Sequence, residues 1–163
     1  KKFLLLTICS LFGFLPIMAQ NGLAEDGWYE YTVNQGNLSE LISESEKYQI
    51  TKLRLKGKIN GDDFNIIRDI AGVYINSSNY TEGKLEMIDL SNVVIIKGGY
   101  FQKVPLNYDN YIPEALFQGS KTLKEVRLGN VTWLGHSVFQ DCVNLSTITG
   151  LSISLVVQIV LTS

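Results

Sequence analysis

The strongest constraint on this chain is a short apolar pattern that recurs along it. Leu123-x-x-Val126-x-Leu128 is followed 22 residues later by Leu145-x-x-Ile148-x-Gly150. The same offset of 22 lays Ile112 on Leu134, Ala115 on Ser137, Phe117 on Phe139 and Gln118 on Gln140. Two further copies lie upstream: Ile50-x-x-Leu53-x-Leu55, and Leu85-x-x-Ile88-x-Leu90, which runs on through Ser91-Asn92 to Ile95. The starts at 50, 85, 123 and 145 are spaced by 35, 38 and 22 residues, so the first two intervals carry insertions. Each unit has too little apolar surface to form a core alone and must stack on a neighbour.

An L-x-x-L-x-L strand at a period in the twenties predicts an α/β leucine-rich-repeat solenoid of parallel strands joined by short helices or turns. Leu123-Lys124-Glu125-Val126-x-Leu128, Val131-Thr132-x-Leu134-Gly135 and Phe139-x-x-Cys142-x-x-Leu145-x-x-Ile148 resemble the BspA-like leucine-rich repeats. Ile112-Pro113-Glu114-Ala115-Leu116-Phe117 is similar to part of the same unit. The likeness is close over 112–151 and looser over 36–96. Gly129-Asn130 stands where that family usually has Leu-Pro, and the pattern stops after Leu151. The resemblance implies a bacterial surface protein that adheres to host proteins or other cells.

The chain opens with Lys1-Lys2, an apolar run from Phe3 to Phe14, then Pro16 and Ile17-Met18-Ala19. A basic start, a short apolar core and a small final residue predict a secretory signal peptide over 1–19, cleaved after Ala19, and hence a secreted or cell-surface location. The run is shorter than the roughly 20 apolar residues a membrane span needs, so no span is expected after cleavage. Cys9 sits too early, and lacks the preceding small residue, for a lipoprotein site. No initiator Met is present, so the reading frame is expected to be trimmed or incomplete. Cleavage removes two lysines and no acid, taking the net charge from −2 to −4, with no basic face for nucleic acid. One cysteine, Cys142, remains, so an internal disulfide framework is excluded. Asn37, Asn76, Asn79, Asn130 and Asn144 each begin an N-x-Ser/Thr sequon, which an Asn- and Ser-rich composition explains.

Residues 20–49 are expected to form an N-terminal cap. Within it, 20–27 reads as a flexible leader, and Trp28 to Val33 as a short aromatic edge strand. A helix capped by Asn37 or Ser39 carries Leu38, Leu41 and Ile42 on one face. The repeat domain spans 50–151, with insertions at 72–84 and 97–111. A second helix opens at Asp62-Asp63 and carries Phe64, Ile67, Ile70 and Ala71 at helical spacing. Paired carboxylates at a helix start favour its positive end, and no His, Cys or third carboxylate nearby turns them into an acid–base or metal site. Residues 152–163 are apolar, uncharged and β-branched, unlike a further repeat. They read as an atypical or truncated end: a final strand, or, in better accord with the polar outer face a terminal repeat should present, a frameshifted end or the stub of a longer array.

In the strand pattern the third and fifth positions face away from the core. Stacked in parallel, the fifth positions form a column of Arg54, Asp89, Arg127 and Thr149, and the third a column of Lys52, Met87, Glu125 and Thr147. Opposite charges on neighbouring strands are worth about 0.2–1 kcal/mol each, so the ladder serves either as a solvated face in good register or as a surface for a partner. Five of the eight Tyr lie between 74 and 111. In the second insertion Tyr100, Phe101, Tyr108 and Tyr111 are candidates for contacting a protein or a glycan through rigid amphipathic rings. Trp133 is expected to cover repeat edges, Cys142 to pack inside a turn, and His136 to lie on the surface. Nothing marks a catalytic triad, metal site or phosphate loop, so no cofactor is expected. The expectation is a non-catalytic protein that recognises a host matrix protein, a cell-surface protein or a glycan. The alternative is the leading module of a longer secreted enzyme or inhibitor.

Overall fold

The computed structural model describes residues 22–76 and 79–150. The expected signal peptide and the atypical end at 152–163 lie outside the described residues. The central element is a six-stranded sheet. Its strands are β1 (Gly22–Leu23), β2 (Tyr29–Val33), β3 (Lys52–Ile59), β6 (Met87–Ile95), β10 (Glu125–Arg127) and β12 (Thr147–Thr149), adjacent in that order. All neighbours run parallel except β1 and β2, which pair antiparallel at one edge. Three helices accompany the sheet: α1 (Leu38–Leu41), α2 (Glu44–Lys47) and α3 (Gly61–Ile70). Three separate two-stranded sheets pair β4 (Tyr74–Asn76) with β5 (Asn79–Tyr80), β7 (Tyr100–Phe101) with β8 (Val104–Pro105), and β9 (Tyr111–Ile112) with β11 (Trp133–Leu134). No helix among the described residues is long and apolar enough to cross a membrane.

The register follows the apolar pattern. Leu53 pairs with Ile88, Ile88 with Val126, and Val126 with Ile148. The first three are fully buried and Ile148 packs half-buried against the same core. The 22-residue offset is also visible in space. Phe117 and Phe139 stack with ring centres 5.8 Å apart. The Gln118 and Gln140 side chains bond at 2.9 Å, and Ile112 pairs with Leu134. Ala115 and Ser137, again 22 apart, share a positive φ of 56° and 57°.

The expected leucine-rich-repeat solenoid is nevertheless corrected. The molecule is a mixed α/β fold, with a mostly parallel six-stranded sheet, an antiparallel edge and small sheets set apart from it. A solenoid needs units of one length, each contacting only its neighbours. Here only 112–150 supplies two matching turns, while the surplus chain of the longer intervals folds on itself as β4–β5 and β7–β8.

The helical cap is corrected too. Residues 22–23, read as leader, form an edge strand, and Tyr29–Val33 enters the sheet between β1 and β3. The single helix expected after Asn37 breaks into two one-turn pieces at Ile42 and Ser43. Asn37 makes no cap bond; its side chain accepts from the Asn34 amide instead, while Ser43 caps α2. Such short helices do not hold themselves, and burial of Leu38 and Ile42 against the core fixes them.

α3 begins as a capped helix should. The Asn60 side chain accepts from the Asp62 amide at 2.9 Å, and the Asp63 carboxylate accepts from the Asn60 amide at 2.9 Å. Asp63 is 1% exposed and also accepts from Gly36 and Leu38, at 2.7 and 2.9 Å. The paired acids are thus structural and divided. Asp63 ties the helix to α1, and Asp62 ties it to the loop that follows β6.

Candidate recognition site

Two surfaces gather the candidate residues. The first is the charged face of the sheet. β2 adds Glu30 to the column, so Glu30, Arg54, Asp89 and Arg127 stand side by side on consecutive strands. Arg54 pairs with Glu30 and reaches Asp89 at 3.5 Å; Arg127 reaches Asp89 at 3.6 Å and Glu125 at 2.6 Å. Lys52, Met87 and Glu125 align in the neighbouring column. Trp28 lies across this face, its ring 4.5 Å from the Arg54 guanidinium and 5.5 Å from that of Arg127, and is itself only 7% exposed.

The ladder therefore satisfies its own charges under an aromatic cover. Burial opposes the charge on Asp89, but bonds from the Ser91 hydroxyl and amide, with Arg127 and Arg54, outweigh it. The Asp89 carboxyl is held below its ordinary range. In the sequence Trp28 reads only as part of an edge strand. Its position just before a strand that adds Glu30 to the column was the available signal.

The second surface is the 97–111 loop with β11. Its rings divide. Phe101 is 6% exposed and packs edge-on against Phe64, ring centres 6.4 Å apart, so most of its ring belongs to the core. Tyr100 and Tyr108 face solvent at 59% and 68% exposure. Tyr111 is half-buried and meets Tyr108 edge-on at 6.1 Å. Trp133 is 61% exposed, so it does not cover a repeat edge. Parallel pairing of β11 with β9 sets Trp133 beside Tyr111. Tyr108, Tyr111 and Trp133 line an open cleft of about 400 Å³. Tyr111 also lines a second cleft of about 400 Å³, walled by Phe101, Val104, Pro105, Pro113 and Glu114 among others.

This loop is held from several sides. The Asp62 carboxylate accepts from the Tyr100 amide at 2.9 Å. The Asn65 side chain donates to the Tyr100 carbonyl at 2.7 Å and accepts from the Gln102 amide at 3.0 Å. Asp109 accepts from the Lys97 amide at 2.7 Å, and Leu106 closes on Gly98 and Gly99 through backbone bonds of 2.8 and 3.1 Å. The Asn110 carbonyl accepts from Thr132 and Trp133, which couples the loop to β11. Gly99 has φ +63°, and a Cβ there would stand 2.6 Å from the Asp62 carboxylate, so only glycine allows that close approach. Burial, and then the Glu114 carboxylate, push the Tyr111 phenol above its ordinary range.

The other singled-out residues are structural or plain surface. The Cys142 thiol bonds to the Phe117 carbonyl at 2.9 Å, and burial pushes it up to about 11. His136 is exposed. Among the described residues no group of three or more His, Cys, Asp or Glu is placed to hold a metal ion. No family model matches the chain, and no curated protein matches it either.

Proposed function

We propose that this is a non-catalytic recognition protein, secreted or held at the cell surface, which binds a partner through the aromatic face built by the 97–111 loop and β11. The observation that carries the reading is the exposure of Tyr108 and Trp133, at 68% and 61%, beside a loop pinned by α3. Large rings that a soluble chain leaves in water, on backbone already fixed, bind with little ordering cost. The signal-peptide pattern at 1–19 supports export, and the likeness of 112–151 to BspA-like surface proteins supports adhesion to host matrix or cell-surface proteins. The charged ladder is assigned to stability, because its groups pair with one another beneath Trp28.

The test is binding of the purified protein to immobilised matrix proteins and to host cells. Tyr108→Ser with Trp133→Ser is preferred to a loop deletion, which would remove the buried Phe101 and Leu106. The double variant is expected to keep its unfolding midpoint and lose at least about tenfold in binding. Undiminished binding by the folded variant would remove the aromatic face from the function.

A further inference from the structure

Resting on that reading, we infer the class of partner: the aromatic face takes an extended, proline-rich peptide segment that carries a basic residue. Two features of the clefts argue for it. First, Tyr111 lines both of them, which places them next to one another. A polyproline II segment turns every third residue to the same side, so successive prolines enter neighbouring clefts across a single ring. Such a segment is already extended before binding and loses little entropy on docking.

Second, the lining is mostly aromatic and aliphatic and carries a single charge. Among the described residues Tyr108, Tyr111 and Trp133 line one cleft, and Gln102 and Glu114 are the only polar side chains besides Tyr111 in the other. Among the described residues Glu114 is the only charged side chain lining either cleft. It is exposed and makes no ion pair among the described residues. It stands close enough to Tyr111 to act on its phenol, which places an unmatched negative charge beside the residue the two clefts share. An arginine or lysine flanking the prolines complements it.

The chain has two tryptophans, Trp28 covered on the charged face and Trp133 in the cleft, so their indole N–H signals report separately by NMR. The probe is a blocked oligoproline flanked by arginines, added at millimolar concentration to the isotope-labelled protein. The Trp133 signal is expected to shift saturably while that of Trp28 stays, with Trp133→Phe assigning the two. Tyr108→Ser is expected to weaken binding about tenfold. Glu114→Gln is expected to weaken it about two- to fivefold, the worth of one exposed pair.

An unmoved Trp133 signal overturns the inference. So does a shift caused by a cello-oligosaccharide and not by the peptide; in that case the aromatic face still recognises a partner, and only its class changes. Equal affinity of Glu114→Gln overturns the basic residue alone. Failure of the broader reading shows differently, as undiminished cell binding by the Tyr108 and Trp133 double variant.

Discussion

Asp63 is a buried hub that ties three backbone amides together. Its two oxygens accept from Gly36, Leu38 and Asn60, and it is 1% exposed. Asp63→Ala leaves three backbone donors without their acceptor and is expected to lower the unfolding free energy by about 3 kcal/mol in urea titration. Asp62→Ala, at an exposed neighbour, is expected to stay within about 1 kcal/mol. Two adjacent aspartates look alike in the sequence; only the fold assigns one to a buried hub and the other to the loop.

Asp89 gives a pH signature. Its folded carboxyl lies below the ordinary value of about 3.9, so its contribution is complete above that pH and is lost as pH falls through the depressed value. The stability gap between the native protein and Asp89→Asn is expected to be widest near neutrality and to shrink below about pH 4. A constant gap in acid unfolding curves would remove the charge from the explanation. Cys142 runs the other way. Its thiol is raised to about 11, so that contribution holds below the ordinary value near 9 and fades as pH climbs toward 11. At pH near 8 peptide mapping is expected to find Cys142 unalkylated in the folded protein and alkylated in urea.

Among the elements, β3, β6, β10 and β12 were legible because each carries a period-2 apolar set that must point to one core. Where β2 would sit was not legible: Tyr29–Val33 lacks the repeat pattern and joins β3 only through tertiary pairing. The positions of the insertions could be read from spacing, but their internal folding could not. Phe101 and Tyr100 are neighbours in one β-strand, so their side chains point to opposite sides, and composition alone does not say which ring is inside. The loop also depends on α3, which lies some 35 residues earlier in sequence. Gly99→Ala is expected to push the Asp62 carboxylate away from Tyr100 and to speed amide exchange across 98–106, at a global cost of about 1 kcal/mol. Unchanged exchange in that segment would show that the pin does not order the loop.

For the whole molecule, the two faces divide the work, and the division can be measured. On the sheet face, Trp28 covers guanidiniums that already have carboxylate partners, so its removal opens a packed surface. Trp28→Ala is expected to cost about 3 kcal/mol of stability, in the range for loss of a buried tryptophan. On the aromatic face, Tyr108 and Trp133 touch mostly water, so their truncation removes little native packing. A plot of stability against partner binding should therefore separate the variants along two axes. Trp28→Ala falls in stability, yet its folded fraction binds normally. Tyr108→Ser and Trp133→Ser fall in binding at unchanged stability. The separation follows from geometry, because the ladder lies on the central sheet while one cleft is lined from β9 and β11 and the other from β7, β8 and β9, which belong to separate sheets. If Trp28→Ala, kept well below its unfolding midpoint, lost binding as completely as the cleft variants, the two faces would be one site. The ladder would then have to be counted with the partner surface after all.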